Sequence, residues 1–170
     1  MKKLTIIFTF CLLGMLGQAA FAQNKGTLDK ETFVKAAKIL EQEPFIKDAK
    51  KYREAMTFYL IETKDVSVVL CGNDLTKPVF DKKYKFSNEL FSQTLFGMAV
   101  FKLENPNKVN DENAAQLAGL ESALRAYEAM VKANPKAKFA AVDELIAKRE
   151  NDTLAKALAK AFVDANCGKK

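Results

Sequence analysis

The sequence predicts an all-α protein of about six helices, packed as a single compact bundle or irregular helical array. Three observations carry that expectation. Apolar residues recur at three- and four-residue spacing over most of the chain after residue 27, the period of a helix with one buried face. Pro44, Pro106 and Pro135 punctuate those stretches, as proline does where one helix ends and another begins. The single β-branched run after residue 22, Val66-Ser67-Val68-Val69-Leu70-Cys71, has no second run of comparable quality there, and a lone strand has nothing to pair with.

Each element follows from local chemistry. Thr27-Leu28-Asp29-Lys30-Glu31 combines capping oxygens with first-turn acid, and Phe33, Ala36, Ala37 and Leu40 share a face, which predicts a first helix over 28–43. Pro44 then ends it and opens a second helix over 45–62, whose face is Phe45, Ala49, Tyr52, Met56, Tyr59 and Leu60. Residues 66–71 read as a buried continuation of that helix in preference to a short extended segment. Gly72-Asn73-Asp74 is turn chemistry, and 72–86 is the longest loop.

Ser87 is placed to cap a third helix over 88–104, with Phe86 and Phe91 as a hydrophobic staple across its entry. That helix is apolar nearly all round, so it belongs at the centre. Asn110, Asp111 and Glu112 start a fourth helix, in which Leu117, Leu120, Leu124, Tyr127 and Val131 form the cleanest stripe, and Asn134-Pro135 ends it. Phe139, Val142, Leu145 and Ile146 mark a short fifth helix. Asn151 or Asp152 caps a sixth, with Leu154, Leu158, Ala161, Phe162 and Ala165 on one face.

The first 22 residues read as an export signal. Met1-Lys2-Lys3 is the positive start, Leu4 to Gly17 the apolar run, and Ala20-Phe21-Ala22 the small-x-small site of cleavage. Cleavage leaves 170 − 22 = 148 residues, the size of one domain over 23–170. No later stretch is long and apolar enough to predict a membrane span, so the expected location is the periplasm or the exterior. With Cys11 removed, Cys71 and Cys167 are the two mature cysteines, and they can pair in one way in an oxidising compartment. The bridge would fasten the C-terminal helix to the middle of the fold.

Composition narrows the function classes. Histidine and tryptophan are absent, which removes Ser-His-Asp and Cys-His nucleophiles and His-ligated zinc or haem. Removing Lys2 and Lys3 lowers the net charge from +6 to +4, too mild to demand a polyanionic partner. Arg53, Arg125 and Arg149 are the only arginines, and bidentate base readout favours arginine, so no specific nucleic-acid binding is expected. Thirteen phenylalanines supply enough core without a cofactor, and none is expected.

Lys77, Lys82, Lys83 and Lys85, with Tyr84 among them and Phe80 and Phe86 alongside, form a basic and aromatic string suited to an anionic surface. Asn105, Asn107, Asn110, Asp111 and Glu112 are rich in oxygen but lack the glycine and terminal glutamate of an EF-hand loop, so helix capping accounts for them. The stretch Ala123–Met130 followed by Asn134-Pro135 resembles the second helix of a tetratricopeptide repeat at Ala123, Tyr127 and Pro135. Asn107, Asn110 and Asp111 stand where the repeat's aromatic, leucine and glycine positions would fall, so the stretch reads as an ordinary packed helix.

The expected function is that of an exported, non-catalytic helical binding or interaction module with a groove beside the third or fourth helix. The alternatives are an inhibitor or immunity-type protein for an envelope enzyme, and a hydrolase or lyase using carboxylate, lysine or tyrosine groups.

Overall fold

Six α-helices follow one another: α1 Lys30–Gln42, α2 Ala49–Glu62, α3 Ser87–Glu104, α4 Glu112–Ala133, α5 Ala140–Glu150 and α6 Leu154–Asp164. Short 3-10 turns at Lys77–Phe80, Pro106–Lys108 and Pro135–Ala137 sit in the connections. The computed structural model describes residues 28–167. There is no strand among them, and the helices form a compact array. The expected export signal over 1–22 lies outside the described residues.

Two helices begin where a side chain supplies the cap. Asp29 accepts from Thr32 N at 2.7 Å to start α1, and Asp111 accepts from Ala114 N at 3.0 Å to start α4, each satisfying a first-turn N–H. Other starts differ from expectation: α6 follows Thr153 with no side-chain cap bond, where Asn151 or Asp152 is the expected cap. Pro44 does not open α2. Residues 43–48 form turns closed by Ile46 N to Glu43 O and Ala49 N to Ile46 O, and Asp48, in the left-handed region at φ 63°, re-aims the chain. The Pro44 carbonyl instead accepts from the Arg53 guanidinium at 2.6 Å. Ser87 is inside α3 rather than its cap, and Phe86 is itself the N-cap, so Phe86 and Phe91 do not hold the N′ and N4 positions of the expected staple; the Phe86 ring meets Phe45 and Tyr84, while Phe91 meets Phe80.

The centre is the α3–α4 pair, as the all-round apolar character of α3 predicts. Gly97 faces Ser122 so closely that an added Cβ would lie 2.5 Å from Ser122 Cβ. At Gly119 it would lie 2.6 Å from the Thr94 carbonyl and 2.5 Å from Met98 Cγ. Glycine at these crossings lets the two backbones approach. Gly119→Ala should therefore destabilise the fold by about 1–3 kcal/mol through overpacking, despite alanine's better helix propensity; urea unfolding measures it.

On one side of this pair α1 and α2 pack Phe33, Leu40, Met56 and Tyr59 around Phe96 and Leu103. Phe33 stacks on Tyr59 and meets Phe96 edge-on. On the other side α5 and α6 pack Val142, Leu145, Leu154 and Leu158 against Leu120, Leu124, Tyr127 and Met130.

Residues 66–71 are neither helix nor strand, so the helical continuation favoured from sequence is not formed. A backbone without sheet partners must still satisfy its carbonyls. Here side chains from the central pair do so: Lys102 Nζ of α3 donates to Ser67 O at 2.9 Å, and Gln116 Nε2 of α4 donates to Val69 O at 2.6 Å. Val66 is buried beneath them.

Candidate functional site

A cleft of about 840 Å³ lies between the turn Gly72–Asp81 and the C-terminal end of α6. Its first wall is stiff. Asn73 Oδ1 accepts from Thr76 N at 3.1 Å, and Thr76 Oγ1 accepts from Asn73 N and donates to Asn73 O. Both residues are buried, and Val79 plugs the following 3-10 turn into the core with no exposure. That seating presents Pro78, Phe80 and Asp81 to the cleft. The second wall is built of small residues: Ala161 and Ala165 with Asp164 on α6, beside Ala141 of α5.

One sulfur pair joins the two walls. Cys71 and Cys167 form a disulfide with Cα atoms 5.9 Å apart across a sequence separation of 96. Cys71 immediately precedes the cleft's Gly72, and Cys167 follows Ala165 by two residues.

Electrostatically the lining holds three carboxylates, Asp74, Asp81 and Asp164, against one ammonium, Lys77. Lys77 pairs with Asp74 and, through that hydrogen bond and its charge, holds the carboxyl below the usual aspartate value. Asp164 pairs with Lys160 at 2.9 Å, and Asp81 Oδ1 accepts the Lys83 main-chain N–H at 2.9 Å.

The basic and aromatic string divides. Lys77 faces the cleft. Lys82, Lys83 and Lys85 are exposed, with Lys85 Nζ 5.4 Å from the centre of the Phe86 ring. Tyr84 is 5% exposed, so its place as a contact to an anionic surface is corrected. Its ring stacks on Phe139 at 4.9 Å, and its hydroxyl donates to Ala137 O at 2.8 Å. A hydroxyl able to reach a buried carbonyl makes tyrosine a good core residue even inside a lysine string.

A groove does lie beside α3 and α4, as expected, but it is small, about 210 Å³. Ion pairs cross it. Lys38 Nζ meets Glu104 at 2.6 Å, and Arg125 grips Glu41 with two bonds of 2.7 and 3.1 Å. Beneath them Gln93 Nε2 donates to Ser122 Oγ and Ala37 O, and Ser122 Oγ donates to Glu41. These bonds join α1, α3 and α4 and fill the groove with the protein's own partners.

The most strongly shifted groups lie in the packing beside α5. Tyr127 donates to Asp143 Oδ1 at 2.6 Å and accepts from Phe139 N at 2.8 Å. Burial first, then the Asp143 bond, pushes its pKa up to about 12; burial likewise raises Tyr84. A phenol whose folded pKa is raised stabilises fully below its ordinary value of 10 and loses that contribution as pH rises through about 12. Tyr127→Phe should flatten the fall in melting temperature between pH 10 and 12 relative to wild type. At pH 7 it should cost about 1–3 kcal/mol, because the Phe139 N–H loses an acceptor.

The oxygen-rich residues are spent locally. Asp111 caps α4, Asn105 Nδ2 donates to Phe101 O at 2.8 Å, and Glu112 pairs with Lys102. Among the described residues no group of three or more Cys, Asp or Glu is placed to hold a metal ion, and no helix is long and apolar enough to cross a membrane.

Residue patterns do not single out the cleft, because its lining comes from a turn and from a helix some 80 positions away along the chain. The one signal that leads to it is the cysteine pair. No protein-family model matches the chain, no curated protein matches its sequence, and no solved structure matches its fold.

Proposed function

We propose that this is an exported, non-catalytic binding module that holds a small ligand in the cleft between the Gly72–Asp81 turn and α6. The observation that carries the reading is the cleft itself. At about 840 Å³ it falls within the usual size of ligand sites, and it combines a rigid wall with a covalent fastening at its edge. Phe80, Pro78 and the alanines suit a compact apolar body, and with Asp74 and Asp164 paired to Lys77 and Lys160, the Asp81 carboxylate leaves one negative charge that favours a ligand with positive charge. Export is supported by the N-terminal pattern of Lys2-Lys3, an apolar run and Ala20-Phe21-Ala22, and by a disulfide, which belongs to oxidising compartments.

Native mass spectrometry after incubation with a small-molecule cell extract tests the reading, with Ala161→Trp as the variant that fills the cleft. A ligand retained by wild type and lost from Ala161→Trp supports it. Equal retention by both, or no retained ligand in either, contradicts it.

A further inference from the structure

We infer that the Cys71–Cys167 disulfide is a redox gate on this cleft, whose reduction releases the last turns of α6 and opens one wall while the rest of the fold stays in place. The regulatory consequence rests on the cleft being the binding site; the movement itself does not.

The two ends of α6 are held differently. Its first half is seated in the core by Leu154 and Leu158. Over 159–167 no residue is buried: Ala161 and Phe162 are half-buried, and Val163 is 71% exposed. The final main-chain bonds turn back into the helix, with Ala165 N donating to Ala161 O and Cys167 N to Phe162 O. Few buried apolar contacts and a solvent-facing backbone are the marks of a segment that opens at low cost. The disulfide therefore fastens the end of α6 where packing is weakest. The opposite wall does not depend on it, because Asn73, Thr76 and Val79 anchor the turn independently.

The bridge is also reachable. Cys71 and Cys167 are both half-buried rather than sealed in the core, and access of an attacking thiolate governs exchange. A dithiol reductant supplies the two electrons and two protons. The Cys71–Cys167 S–S bond breaks, both cysteines become thiols, and the reductant closes its own disulfide. With Ala161, Asp164 and Ala165 then free to swing away, the cleft loses one wall.

Hydrogen-exchange mass spectrometry of the mature protein, oxidised and after treatment with dithiothreitol, tests the gate without a ligand. At short labelling times, amide exchange over 159–167 is expected to rise at least about tenfold on reduction, equivalent to about 1.4 kcal/mol of local protection, while at the same labelling times peptides from α3 and α4, which exchange only by global unfolding, remain unexchanged in both forms. The Cys71→Ser, Cys167→Ser double variant should match the reduced protein without reductant. Unchanged exchange over 159–167, or exchange rising uniformly along the chain, overturns the gate. Because this readout involves no ligand, its failure is distinct from failure of the ligand-retention experiment.

Discussion

Lys102→Met should destabilise the protein by about 3 kcal/mol, the scale of a buried ion pair deprived of one member. The Lys102 side chain is 3% exposed, and its ammonium meets Glu112 Oε1 at 2.6 Å and Ser67 O at 2.9 Å. Methionine fills the space of the stem but strands both oxygens. Glu112 Oε2 is already buried without a partner, so the carboxylate has no local substitute for the lysine. Its side chain is 30% exposed, and the hydration this allows keeps the expected loss towards the lower end of the range for such pairs. Adding Glu112→Gln to Lys102→Met should recover part of the loss, because the stranded group is then neutral. Urea unfolding of the single and double variants reads both effects. A single variant within about 0.5 kcal/mol of wild type, the range of an ordinary surface substitution, would show that the 66–71 segment does not depend on this lysine.

The Cys71→Ser, Cys167→Ser double variant should lose about 3 kcal/mol. A bridge closing a loop of 96 residues has a chain-entropy ceiling near ~4.7 kcal/mol, and measured values run at about 2–4. For a chain of this size that corresponds to a melting temperature lower by about 10 °C. Thermal unfolding followed by circular dichroism checks it, and dithiothreitol should bring the wild type down to the variant while leaving the variant unchanged. A double variant that melts with the oxidised wild type would mean that α6 is held by Leu154 and Leu158 alone.

What the sequence makes legible is whatever rests on neighbours along the chain. Asp29 announces α1 because a cap acts over three residues, and the Asn110-Asp111-Glu112 cluster marks the start of α4, although the cap is Asp111 and not Asn110. Asn134-Pro135 marks the end of α4, and the apolar circumference of α3 marks the centre. The pairing of Cys71 with Cys167 is legible by elimination, once Cys11 is assigned to the export signal.

Features that depend on distant partners are not legible in this way. The 66–71 run can stay out of helix and sheet because Lys102 and Gln116, 35 and 47 residues from the carbonyls they bond, satisfy Ser67 O and Val69 O. Tyr84 sits in the core because the Ala137 carbonyl lies within reach of its hydroxyl, 53 residues away. Neither lysine nor glutamine advertises a buried role in its local spacing, since both are most often exposed. The same holds for the cleft, whose walls share no periodicity and meet only once α6 has folded back on α4 and α5.

Export and oxidation are tested together by mass spectrometry of the protein recovered from outside the cytoplasm, digested without reductant. The predicted result is an N-terminus at Gln23 and a single crosslinked peptide pair containing Cys71 and Cys167. An intact Met1 end, or both cysteines recovered as free thiols, would contradict it.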